Sequence, residues 1–122
     1  MKRSVLVLDD DVDLRTVLCE LLVSHEAKCV QAGSLDEVIA LGAQALACNL
    51  AILDVNLGPA QPSGVDVYRW LRDNAFGGTM VFLTGHVHSF PGVAEARAIG
   101  VKVFEKPVAV EPILDLLREG AR

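Results

Sequence analysis

Four short, largely apolar runs each end on a polar group. Val5-Leu6-Val7-Leu8 leads into Asp9, Asp10 and Asp11. Leu50-Ala51-Ile52-Leu53 leads into Asp54, and Met80-Val81-Phe82-Leu83 into Thr84. The run at 101–105 leads into Lys106. Short apolar runs bounded this way read as strands buried on both faces. An alternating segment at 27–32 reads as a further short strand. Helical periodicity fills the intervals. Residues 13–25 carry Leu14, Val17, Leu18, Leu21 and Leu22 at helical spacing, which predicts an amphipathic helix with that stripe toward the sheet and Asp11 or a neighbour as its cap. Ser34 and Glu37 have capping-box spacing and open a helix through about residue 46. Residues 58–64 read as a loop by their Gly, Pro and Ser content. A third helix is predicted over 65–73, with Val67, Trp70 and Leu71 inward. A fourth covers 89–99 and ends at Gly100. The last covers 111–119, with Ile113, Leu114, Leu116 and Leu117 inward.

Five strands alternating with five helices predict the α/β class. The expected architecture is a doubly wound (βα)5 three-layer sandwich, flavodoxin-like, around a parallel five-stranded sheet of order 2-1-3-4-5. Its switch point lies between strands one and three, which deliver Asp9, Asp10 and Asp54. Parallel strands bring Thr84 and Lys106 to the same edge, where open α/β sheets bind ligands. Clustered carboxylates repel one another unless a cation neutralises them. Mg2+ suits the set, being hard, oxygen-seeking and content with few carboxylates. Such an edge supports phosphoryl transfer, and a carboxylate can itself be the nucleophile, forming an acyl phosphate. Lys106 would balance one phosphoryl oxygen and the Thr84 hydroxyl would donate to another. Asp11 is better read as a helix cap, and Asp10 as a metal ligand.

Length and charge narrow the classes further. At 122 residues, with 52% apolar content, one domain spanning 1–122 with a sizeable core is expected. No run approaches a membrane span, and no secretory signal pattern opens the chain, so a cytoplasmic protein is expected. The net charge is −5, and about −2 without Asp9, Asp10 and Asp54, with no basic stripe for direct nucleic-acid binding. Cys19, Cys29 and Cys48 show no metal or redox spacing. Cys19 and Cys29 read as small buried apolar groups.

Four motifs together, Leu8-Asp9-Asp10-Asp11, Leu53-Asp54-Val55-Asn56, Leu83-Thr84-Gly85 and Glu105-Lys106-Pro107, resemble the receiver domain of two-component response regulators. They occur in that family's order and the resemblance covers the whole chain. It implies that Asp54 is the phosphoacceptor, Asp10 the direct metal ligand, and Asp9 a ligand through bound water. Asn56 would offer its backbone carbonyl to Mg2+, Thr84 would be the switch hydroxyl, and Lys106 the phosphoryl-pairing base. A cis peptide before Pro107 is also implied. Three departures stand out. Val103 occupies a position that is usually Tyr or Phe, and Phe104 should face the opposite side of its strand. The loop between Asp54 and Gly64 is longer than is common in the family. His86 lies where family members often tune phosphate loss, whereas His88 reads as surface.

The resemblance further implies a bacterial phosphorelay switch rather than an enzyme, with self-catalysed phosphorylation and dephosphorylation. Its partners would be a sensor histidine kinase or histidine phosphotransfer protein, and a downstream protein reading the fourth helix, fifth strand and last helix. The chain would be a stand-alone monomer, or a weak phosphorylation-dependent dimer. A haloacid-dehalogenase-like Mg2+ phosphohydrolase is the alternative, but Asp13 stands where that motif has Thr or Val. A flavin module on the same topology would need a Ser/Thr/Gly-rich phosphate loop after strand one, and acidic groups occupy that place.

Overall fold

The computed structural model describes residues 3–85, 93–106 and 110–119. The elements run β1 (Ser4–Leu8), α1 (Val12–Ser24), β2 (Lys28–Ala32), α2 (Leu35–Leu41), α3 (Ala43–Leu46), β3 (Leu50–Asp54), α4 (Gly64–Asp73), β4 (Thr79–Thr84), α5 (Val93–Ala98), β5 (Val103–Glu105) and α6 (Val110–Glu119). All strand pairs are parallel and the order is β2-β1-β3-β4-β5, as predicted. Two apolar clusters cover the two faces of the sheet. One joins Leu6, Leu8, Ala51, Leu53 and Phe82 to α2, α3 and α4. The other joins Val5, Val7, Leu50, Ile52, Val81 and Leu83 to α1 and α6. Alternation along each strand divides its side chains between these layers. Every residue of β3 is buried, which suits the central strand of a sheet covered on both faces.

Three local expectations differ from the structure. The helix predicted from Ser34 to about residue 46 is two helices, because Gly42 takes φ +55° and interrupts the ladder. Its capping box is only half made. The Ser34 hydroxyl accepts from the Glu37 N–H at 3.2 Å, whereas the Glu37 carboxylate accepts from Gly33 at 2.8 Å, one residue upstream. A reciprocal capping box forms instead at Ser63 and Asp66, where the Ser63 N–H donates to Asp66 at 2.8 Å.

The second difference is the rotation of α1. Cys19 and Leu22 are buried, but Leu14, Val17 and Leu21 are 50%, 54% and 44% exposed. Arg15 explains this. Its guanidinium donates to the Asp9 carbonyl at 2.8 Å and to the Gln31 side chain at 3.0 Å, turning the 15/18/19/22 face to the sheet. The third is β5, which begins at Val103 rather than at residue 101. Val103 and Phe104 pack into opposite layers, in agreement with the predicted alternation. Residues 89–92 of the fourth predicted helix lie outside the described residues.

Candidate functional site

The C-terminal edge of the sheet gathers the polar ends of four strands. β1 ends at Leu8 and places Asp9 beside it, with its N–H bonded to the Ala32 carbonyl at 3.1 Å. β3 delivers Asp54 and β4 delivers Thr84. All three are buried, with Asp9 at 4% exposure and Asp54 and Thr84 at 3%. Lys106 follows β5, and its N–H donates to the Thr84 carbonyl at 2.8 Å, which fixes its place in the edge. The Lys106 Nζ then lies 2.8 Å from Asp9 Oδ2 and 2.8 Å from Asp54 Oδ2. One ammonium therefore bridges two buried carboxylates contributed by β1 and β3.

Asp10 is exposed, yet one oxygen each of Asp9, Asp10 and Asp54 falls within 4.8 Å of the others. Three ionised carboxylates and one ammonium would leave the cluster two positive charges short of neutrality. That donor set, all oxygen and with one exposed member, fits a divalent cation such as Mg2+ that keeps part of its water. Burial pushes the Asp54 carboxyl up to about 7. Its hydrogen bond to Lys106 pulls the other way, and the neighbouring Asp9 charge adds to the rise. For Lys106, burial acts downward, but its bonds to Asp54 and Asp9 prevail and hold the ammonium above its ordinary value.

Thr84 supplies the second sign of an incomplete site. Its Oγ1 is buried and has no hydrogen-bond partner among the described residues. A buried hydroxyl left unpaired costs free energy and marks a place where a further polar group belongs. The edge can thus hold a cation on its carboxylate side and a tetrahedral oxyanion between Lys106 and Thr84.

The loop after β3 forms the rim. The Asn56 N–H donates to Asp54 Oδ1 at 3.2 Å, and the Asn56 side chain accepts from Gly58 at 3.0 Å. Gly58 has φ +107°, and a Cβ there would stand 3.7 Å from the Asp10 carboxylate. The longer loop leaves a cavity of about 350 Å³ between residues including Asn56, Gln61, Asp66 and Glu95. Arg69 of α4 forms an ion pair with Glu95 of α5 across this side.

All six residues singled out from sequence, Asp9, Asp10, Asp54, Asn56, Thr84 and Lys106, stand at this one edge. Asp11 does not join the carboxylates. Its Oδ1 accepts from the Asp13 and Leu14 N–H groups at 3.0 and 3.1 Å and caps α1, as predicted. The proposed roles of His86 and His88, and the peptide before Pro107, lie outside the described residues. Two supporting residues escaped the sequence reading. Arg15 holds the Asp9 backbone, and only its position four residues after a capping aspartate hints at this. Gly64 opens α4 directly against Asp54, since a Cβ there would lie 2.2 Å from the Asp54 carbonyl oxygen. A glycine just past a capping serine was its only signal.

Comparison with known proteins gives a consistent result. The family model described as the response regulator receiver domain matches residues 5–118. No curated protein matches the chain. Among solved structures, a response regulator receiver domain protein (CheY-like) from Methanospirillum hungatei JF-1 is 20% identical, with a TM-score of 0.78 over 98% of this chain and 93% of that one. NtrX from Brucella abortus in complex with ADP is 22% identical with a TM-score of 0.79, covering 98% of this chain. The match takes in only 27% of the NtrX chain, so this sequence spans about a quarter of that relative. A response regulator protein from Burkholderia pseudomallei, solved with a phosphorylated aspartic acid, calcium ion and citrate, is 27% identical. Its TM-score is 0.78 over 95% of this chain and 66% of that one.

Proposed function

The chain belongs to the response regulator receiver family, and from that premise we propose that it is a phosphorylation switch whose acceptor is Asp54. The observation that carries this reading is the placement of Lys106 Nζ 2.8 Å from Asp54 Oδ2, beside a buried Thr84 hydroxyl that has no partner among the described residues. An Asp54 oxygen attacks the phosphorus of a phosphohistidine on a sensor histidine kinase or histidine phosphotransfer protein. The P–N bond breaks as the O–P bond forms, and the departing imidazole keeps its electron pair and takes a proton. Lys106 leaves Asp54 Oδ2 to pair with a phosphoryl oxygen, and Thr84 Oγ1 donates to another.

Asp9, Asp10 and Asp54 are the residues that would hold Mg2+, with the Asn56 backbone carbonyl completing the set. When bound, the cation supplies charge neutralisation for the incoming phosphoryl group. Asp9 keeps Lys106 in place throughout, since the ammonium is shared between the two carboxylates. The phosphorylated form is read by a downstream protein over the α5, β5 and α6 face. The proposed setting is a bacterial cytoplasm, with a monomer or a weak phosphorylation-dependent dimer. No helix among the described residues is long and apolar enough to cross a membrane.

The test is intact-mass measurement after incubation with Mg2+ and acetyl phosphate. Wild type should gain one phosphoryl group and Asp54→Ala none. A gain that survives Asp54→Ala, or catalytic turnover of a generic phosphate ester, would overturn the assignment.

A further inference from the structure

Cys19 and Cys29 lie ten residues apart without any motif spacing, yet the fold brings them into contact. Cys19 is buried midway along α1 on the face turned to the sheet. Cys29 is half-buried on β2, one of the two edge strands. Cys29 Sγ lies 3.8 Å from the Cys19 carbonyl oxygen, as a weak S–H donor, and the two thiols are near enough to shift each other's ionisation. Both belong to the layer that packs β1 against α1 and α6, whereas Cys48 is part of the layer on the opposite face of the sheet.

We propose that Cys19 and Cys29 are a redox pair that closes a reversible disulfide between α1 and β2, with a peroxide as oxidant. The Cys29 S–H holds the Cys19 thiol below its ordinary value, burial acts the other way, and Arg15 adds to the lowering. Cys29 is held above its ordinary value by the same contact and by burial. With the Cys29 S–H engaged on the Cys19 carbonyl oxygen, Cys19 is assigned as the attacking sulfur and Cys29 as the resolving one. The peroxide reaches the pair from the half-exposed Cys29 side. The Cys19 thiolate attacks a peroxide oxygen and the O–O bond breaks. The released hydroxide takes the Cys29 proton to become water, leaving a sulfenic acid on Cys19. The Cys29 thiolate then attacks the Cys19 sulfur. The S–S bond forms, the S–O bond breaks, and the second hydroxide takes up the proton that Cys19 had released. Two thiols lose two electrons and one peroxide becomes two waters.

The test oxidises the folded, metal-free chain with stoichiometric hydrogen peroxide, then unfolds it in guanidinium with N-ethylmaleimide to cap the remaining thiols and measures intact and peptide masses. The expected product has lost two hydrogens, carries a Cys19–Cys29 cross-linked peptide, retains one alkylated cysteine at Cys48, and reverts with dithiothreitol. Cys48→Ser should leave the cross-link unchanged. Cys29→Ser should stop at a Cys19 sulfenic acid that a dimedone probe captures. Three alkylated cysteines after peroxide, a cross-link that includes Cys48, or a Cys29→Ser chain that dimedone does not label would each overturn the proposal. Because the readout is mass alone, it stands or falls independently of whether Asp54 accepts a phosphoryl group.

Discussion

A single ammonium serves two buried carboxylates at this edge, and a hydroxyl beside them has no partner among the described residues. Lys106 spans Asp9 and Asp54 at 2.8 Å to each, and Thr84 Oγ1 is buried with no partner among the described residues. In the free chain the threonine is thus a cost, and under the proposed function a phosphoryl oxygen that accepts its hydrogen bond would recover it. Thr84→Val keeps the shape and removes the orphan, so the metal-free chain should gain about 1 kcal/mol against urea. The same substitution should reduce the extra stability that acetyl phosphate confers on the wild type. Comparing the two denaturation midpoints, with and without the phosphodonor, decides both points. The shared placement of Asp9, Asp54, Thr84 and Lys106 was legible in the sequence because each follows an apolar run, and burial on both strand faces leaves a polar side chain only the sheet edge. Arg15 was not legible, because a helical arginine gives no sign that it will bond a strand-end carbonyl.

At the scale of elements, strands were easier to read than helix faces. Uninterrupted apolar runs specify a two-sided strand directly. In α1, Leu14, Val17 and Leu21 form one stripe and Leu18 and Leu22 another, roughly a quarter of a turn away. Hydrophobicity alone cannot choose between them. Capping at Asp11 and the Arg15 bonds to Asp9 and Gln31 choose the second. The entry to α4 raises a related issue. Gly64 is needed for space, since a Cβ would meet the Asp54 carbonyl oxygen at 2.2 Å and its carbon at 2.8 Å. Gly64→Ala is expected to cost about 2–4 kcal/mol and to slow phosphorylation of Asp54 by displacing its backbone. Gly77→Ala, where a Cβ meets nothing within 4 Å, is the control and should change stability by less than about 0.5 kcal/mol. Urea denaturation of both variants and the acetyl phosphate reaction rate provide the measurement.

At the scale of the whole molecule, the cluster ties stability to pH. Asp54 is raised to about 7 in the folded chain from an ordinary value of 3.8. A group raised on folding contributes stability that is full below its unfolded value and lost as pH climbs through its folded one. The metal-free chain, held in chelator, should therefore lose stability between about pH 4 and pH 7. Asp54→Asn should flatten that decline and make the chain about 1–3 kcal/mol more stable at pH 8, because Lys106 then serves Asp9 alone. Mg2+ favours the ionised carboxylate, so its stabilising effect on the wild type should grow over the same pH range. Thermal melts across pH, with chelator and with Mg2+, test this directly. Lys106 titrates in a separate window, above its ordinary value of 10.5.

The layout of the sheet also decides where a disturbance at Asp54 can travel. Behind the acceptor stand the central strand, buried at every position, and a helix start pressed onto its carbonyl. In front stand Thr84 and Lys106, next to a three-residue outermost strand. Negative charge placed on Asp54 thus meets a stiff wall on one side and a lightly held margin on the other. Added charge on Asp54 is therefore expected to displace β4 and β5 rather than the central strand.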